Sequence, residues 1–195
     1  EMVIMAAQTL VGAAGLREAF LALRASGKPL AYGGLVFNRI PALRARIPGF
    51  FLGEQLEAGV DSIVNLLLGS GFTQVEQSHD VNFNDLIRHF TTKRIGTELD
   101  VIKQSREAGL PFDFLNEANT YFGNALIAAL KLGDPDFVRA DLEWIRKMLE
   151  GRQLSSGRLI PYLKAYQNAI QHHLGAGGEP ITAMLEQYIS DISND

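Results

Sequence analysis

A short apolar run that stops at two glycines constrains this chain most. Pro29-Leu30-Ala31-Tyr32-Gly33-Gly34-Leu35-Val36-Phe37-Asn38 reads as a buried strand that ends at Gly33 and Gly34 and turns into a new segment. A strand that is apolar on both sides belongs inside a parallel sheet covered by helices. In open sheets of that kind, ligands bind beyond the carboxyl ends of the strands. Glycines at that edge let another group come closer to the backbone than any side chain permits. The space belongs either to a ligand or to a tight strand-to-helix turn.

The surrounding sequence supplies the rest of an α/β pattern. Met2 to Ala7 is a second apolar run of strand length, and Leu10 to Ala25 carries Leu16, Phe20 and Leu23 at helical spacing. Gly27 and Pro29 close that helix. Pro41 to Arg46 predicts a short helix begun by proline, and Phe50 to Leu52 a third, very short strand. Leu56, Val60, Ile63, Val64 and Leu67 then mark an amphipathic helix ending near Gly69. Three short strands are few for a parallel sheet. Residues 1–69 are therefore expected to be a partial doubly wound, Rossmann-like α/β domain, the second half of a sheet whose first half lies elsewhere; the opening Glu1 is read in the same sense.

Beyond a polar stretch at 70–82, expected to be a linker, the periodicity is helical throughout. Phe83 to Ala108 predicts a long helix with Leu86, Ile87, Phe90, Ile95, Leu99 and Ile102 turned inward. A second helix follows from Asp113 to Leu132, with Asp113 as its cap and Gly133 as its stop. Asp134-Pro135 starts a third, with Phe137, Leu142, Ile145 and Leu149 inward. A fourth begins at Ser155 or Ser156 and runs through His173, and Glu179-Pro180 opens a fifth. Short connections favour antiparallel neighbours, so 83–195 is expected to be an all-α bundle.

Charge and cysteine usage narrow the partners. Eighteen basic and 22 acidic residues, without a run of one sign, disfavour direct contact with nucleic acid. The absence of cysteine excludes disulfides, thiolate metal sites and a cysteine nucleophile, and fits a reducing compartment. With no apolar run of membrane length and no secretory signal pattern, a cytoplasmic protein is the expectation.

The titratable residues do not assemble a catalytic set. His172 and His173 are adjacent, so on a helix they point about 100° apart; a helix-end role is expected for them, and no metal site. His89 is expected to be partly exposed. Asp141, Glu143 and Glu150, with Arg139, Arg146 and Lys147, read as a solvated face around Trp144, in which Glu143 and Lys147 pair at four-residue spacing. Tyr162, Tyr166, Tyr188, Phe114, Tyr121 and Phe122 either line a pocket or, as is usual for aromatics at helical spacing, fill the core. Arg39, Arg44 and Arg46 lie near the glycine edge, either to meet a phosphate or as surface charges.

Taken in order, Ala6-Ala7-Gln8-Thr9-Leu10, a helix, Leu30 to Asn38, and Pro48-Gly49-Phe50-Phe51-Leu52-Gly53-Glu54 resemble the C-terminal half of a cobalamin-binding domain of MerR-type B12-dependent regulators. The resemblance covers residues 1–69. In that family a Ser-x-Leu element and a Gly-Gly element wall the groove for the nucleotide tail of the corrinoid. Gln8-Thr9-Leu10 stands where Ser-x-Leu would be, matching the leucine and not the serine. The resemblance thus implies a cobalamin tail groove at Gln8, Thr9, Leu10, Tyr32, Gly33, Gly34 and Phe37. The family's Asp-x-His-x-x-Gly, which supplies the lower cobalt ligand, occurs nowhere in the sequence. A non-catalytic cobalamin sensor or regulator is the leading expectation. The corrinoid-carrying part of a methyltransferase or mutase, and a helical interaction module that forms a homodimer, stay open beside it.

Overall fold

The computed structural model of the chain describes residues 1–68, 81–110, 112–151, 157 and 159–194. Most of the expected linker at 70–82, His79 in it, and the expected cap at Ser155 or Ser156 lie outside the described residues. The fold is mostly helical, with a small parallel sheet at one end.

Strand β1 (Val3–Ala6) pairs with β2 (Leu30–Gly33), placing Val3 opposite Leu30 and Ala6 opposite Gly33. Strand β3 (Phe50–Phe51) lies on the other side of β2, so the order is β1-β2-β3. The central place of β2 explains its unbroken apolar sequence, since Leu30, Ala31 and Tyr32 are all buried. Helix α1 (Leu10–Leu23) crosses from β1 to β2 and buries Leu10, Ala13, Leu16 and Phe20. Its end passes through a 3-10 turn, Arg24–Ser26, to Gly27 at φ 67°, a left-handed stop that glycine adopts without strain. Helix α2 (Leu35–Arg39), which the sequence pattern did not mark, and a proline-led 3-10 turn at the expected Pro41–Arg46 connect β2 to β3. Helix α3 (Leu56–Leu67) also forms where expected, but its apolar stripe is bare: Val60, Val64 and Leu67 are 55%, 48% and 64% exposed.

The helical part comprises α4 (Asn84–Glu107), α5 (Phe112–Lys131), α6 (Arg139–Gly151), α7 (Leu159–Leu174) and α8 (Glu179–Ser193). Asp113 lies within α5 and not before it. Asp134 caps the turn ahead of α6 as expected, its carboxylate accepting the Asp136 N–H at 2.9 Å. The inward face of α4 differs from the expected one. Leu86 and Phe90 are buried, but the stripe continues through Thr97, Val101 and Ser105, while Ile95 and Leu99 point outward at 77% and 61% exposure. The cause is the neighbour: α4 packs most extensively on α7, whose inward side carries Tyr162, Tyr166 and Ile170. Bulky residues on one helix require small ones facing them, and the Thr97 hydroxyl satisfies itself on the Lys93 carbonyl at 3.1 Å.

The two parts share one apolar core. Helix α1 packs on α5, and Arg17 spans the seam, donating to the Arg46 carbonyl at 3.0 Å and the Lys131 carbonyl at 3.1 Å. Arg39 crosses it again, to the Ala140 carbonyl at 3.0 Å and the Asp141 carboxylate at 3.4 Å. Among the described residues no helix is long and apolar enough to cross a membrane.

Asp141 is buried, and that burial pushes its carboxyl up, opposed by Arg39 and the Tyr121 hydroxyl. Arg39→Ala removes the counter-charge. Because Arg39 is one-third exposed, the expected loss at pH 7 is about 1–3 kcal/mol, below that of a fully buried pair. A carboxyl raised in the folded state is a burden only where it is ionised, so the loss shrinks as pH falls and Asp141 takes up its proton. Urea unfolding of both proteins at neutral and at mildly acidic pH measures this; an equal loss at both would show that Arg39 acts through packing alone.

Candidate functional site

Both β1 and β2 deliver their carboxyl ends to one edge of the sheet. The chain leaves β1 through Ala7, Gln8 and Thr9 into α1, and leaves β2 through Gly33 and Gly34 into α2. Gln8 is exposed, and its Oε1 accepts the Leu35 N–H at 3.3 Å, which ties the two exits together. Thr9 is the α1 cap, its hydroxyl oxygen accepting the Gly12 N–H at 3.1 Å. Four of the seven candidates, Gln8, Thr9, Gly33 and Gly34, therefore share this edge.

Leu10, Tyr32 and Phe37 lie beneath it, at 1%, 0% and 0% exposure. The Tyr32 ring packs 4.7 Å from Phe37, 5.7 Å from Phe51 and 6.3 Å from Phe20, centroid to centroid. Its hydroxyl donates to the Arg44 carbonyl at 3.0 Å. Burial pushes that hydroxyl's pKa up to about 12, with the Arg44 charge opposing. These three side chains support the edge from below and present no surface to a ligand.

The two glycines have different reasons. Gly34 has φ 117°, and a Cβ there would sit 2.1 Å from the Ala7 carbonyl oxygen. The close approach at Gly34 is thus filled by the neighbouring strand exit, whose Ala7 N–H donates to the Gly33 carbonyl at 3.0 Å. A Cβ at Gly33 would meet nothing within 4 Å. The open place on this edge is Gly33.

The nearby arginines turn into the fold. Arg44 donates to the Phe37 carbonyl at 3.1 Å and to Glu54 at 2.7 Å, with its guanidinium 4.2 Å above the Phe51 ring. Arg39 reaches Asp141, and Arg46 lies 5.8 Å over the Phe137 ring. Structural pairing, in place of a phosphate contact, accounts for Arg39 and Arg44.

A separate cavity of about 660 Å³ opens between α5, α6 and α7. Phe122, Leu142 and Leu159 form its floor, and half-exposed Tyr121 and Trp144 stand at its mouth. None of the seven candidates lines it. On its wall the Tyr162 hydroxyl is engaged, donating to Asn119 Oδ1 at 3.0 Å, and Asn119 in turn donates to the Glu98 carbonyl at 3.0 Å. Of the charges expected on a solvated face around Trp144, Lys147 is exposed and Glu150 lies outside the residues whose side chains are described, but Asp141 and Glu143 are drawn into the fold. Asp141 is buried, and Glu143 accepts from the Tyr188 hydroxyl at 2.8 Å and from Arg146 at 3.1 Å. Burial works against the Glu143 charge, yet those donors hold its carboxyl below the usual range. Tyr162, Tyr166, Tyr188 and Phe122 are core, as expected, whereas Tyr121 is 43% exposed.

His172 and His173 do sit in the last turn of α7, and His89 is exposed. Both adjacent imidazoles meet one residue that no local pattern pointed to. Asp100 on α4 lies 3.0 Å from His172 Nδ1 and 2.9 Å from His173 Nε2 through the same Oδ2 atom. The two imidazole hydrogen bonds hold the Asp100 carboxyl below its ordinary value. Helical spacing argued against convergence, but it constrains the Cβ atoms only; the rings converge because one uses its near nitrogen and the other its far one.

Substitutions at the two glycines separate their roles. Gly34→Ala is expected to cost more than about 3 kcal/mol, through backbone overlap with Ala7 and a left-handed φ. Gly33→Ala is expected to stay within about 1 kcal/mol. Denaturant unfolding of both variants checks the contrast, and similar losses would contradict it.

Compared with known proteins, the chain matches no family model and no curated protein sequence.

Proposed function

We propose that residues 1–69 are the tail-binding half of a corrinoid-binding, doubly wound α/β domain in a non-catalytic cytoplasmic sensor or regulator, with the helical part as its relay or cap. The observation that carries this reading is the surface left uncovered around the sheet. Among the described residues strand β1 pairs only with β2, Ile4 on its open face is 48% exposed, and the stripe Val60, Val64 and Leu67 of α3 is bare. A doubly wound fold continues its sheet past such a strand and covers both faces with helices. A further βα half laid along β1 would cover Ile4 and form a crevice beside Gly33 and Gln8, at the point where the strand order reverses.

The residues at that edge suit a polar tail. Gly33 leaves room, the Gln8 amide nitrogen and the Thr9 hydroxyl hydrogen can donate, and Leu10, Tyr32 and Phe37 hold the floor. When bound, the corrinoid supplies a cobalt centre. The described histidines belong to α4 and α7 and not to this edge, so the lower ligand comes from outside it.

The same bare surfaces favour a second reading, in which another copy of the chain covers them and the protein is an interaction module. Titration of the full-length gene product with hydroxocobalamin, followed by visible absorbance, separates the two. Saturable spectral change is expected, with Gly33→Val weakening affinity at least about tenfold, a difference of about 1.4 kcal/mol, at unchanged helix content. No spectral change, together with a dimer by light scattering, would replace the corrinoid reading with the interaction module.

A further inference from the structure

We propose that Asp100, His172 and His173 form a binding site for one divalent first-row transition-metal ion that clamps α4 to α7. The three ligand atoms lie within 4.8 Å of one another, with the Asp100 oxygen between the two nitrogens. Two imidazoles and one carboxylate are the donors of a borderline ion such as Zn²⁺, Ni²⁺ or Co²⁺, and not of Ca²⁺ or Mg²⁺, which take oxygen ligands.

Two of the three ligand separations are close to those of a loaded site. Neighbouring ligands at right angles around an ion, with bonds of about 2.1 Å, are about 3.0 Å apart; tetrahedral ones are about 3.4 Å apart. The observed 3.0 and 2.9 Å separations from Asp100 match the first arrangement, a tetrahedral ion requires them to open by a few tenths of an ångström, and the two nitrogens, at a separation of up to 4.8 Å, close on the ion as it binds. For either, the ion replaces the ring protons now shared with Asp100, and each imidazole moves its proton to its other nitrogen. His172 is 73% exposed, so the remaining coordination positions face water.

A second feature shows that the backbone accommodates this arrangement. Gly96 lies one turn before Asp100 on α4, and a Cβ there would be 3.0 Å from His173 Cε1. The missing side chain lets the His173 ring lie flat against α4 and bring its far nitrogen to Asp100. This site is remote in sequence from the sheet edge and stands independently of the corrinoid reading.

The test uses tag-free protein stripped with a chelator and titrated with Zn²⁺ and Ni²⁺ by calorimetry, and with Co²⁺ by visible absorbance. One ion per chain is expected, at micromolar affinity, with Tm rising about 5–11 °C at a hundredfold excess over Kd. Asp100→Ala and His172→Ala should each weaken binding at least tenfold while circular dichroism stays unchanged, and His89→Ala should leave it intact. Absence of saturable binding overturns the proposal. Binding that survives Asp100→Ala also overturns it, because it would then belong to scattered surface histidines.

Discussion

The contact on which the α/β part depends is between two pieces of backbone. Gly34 takes a left-handed conformation so that the Ala7 carbonyl can occupy the space of a side chain. That approach fixes where β1 and β2 end, and hence where α1 and α2 begin. Phe20 from α1 and Phe37 from α2 then fall on either side of Tyr32. One missing Cβ therefore sets the register of a cluster that fills the interior below the sheet edge. It also sets the edge itself, by bringing Gln8 within reach of the Leu35 N–H.

Polar side chains join the parts that apolar packing leaves unspecified. Arg17 and Arg44 donate to backbone carbonyls at helix or turn ends, where such groups lack partners within their own element, and Arg39 donates to the Ala140 carbonyl in the first turn of α6. The planar guanidinium suits this work because it donates in several fixed directions at once. Arg94 does the same inside the bundle, bonding Glu98, Asn124 and the Thr120 carbonyl, and Gly123 leaves the room it needs. Glycines in this chain repeatedly serve the close approach of a neighbouring group: Ala7 at Gly34, Arg94 at Gly123 and His173 at Gly96.

The two candidate sites differ in what they lack. The proposed groove at the sheet edge has an open glycine and, among the described residues, donors at Gln8 and Thr9, and it depends on whatever covers β1. The Asp100 cluster has its three side chains together on α4 and α7, two helices that pack on each other more extensively than any other pair among the described residues. Rigid neighbouring helices hold ligand atoms more firmly than loops do, so the second site is the better preorganised of the two.

Local chemistry made most of the element boundaries legible. Gly27 with Pro29, Pro41 and Asp134 act on the dihedrals and hydrogen bonds of their immediate neighbours, and the elements begin and end where those residues placed them. The parallel sheet was readable from the unbroken apolar run of β2 for the same reason. What tertiary structure alone decided was which face of each helix is covered and which distant groups meet. Apolar periodicity put Ile95 and Leu99 of α4 inside, yet the tyrosines of α7 select Thr97 and Ser105 instead. Asp141 reads as a surface acid until Arg39, about a hundred residues away, is folded against it. Asp100 and His172 are 72 residues apart, and no spacing rule connects them. Sequence patterns report interactions within a few residues, whereas burial and convergence are properties of the surface that another element presents.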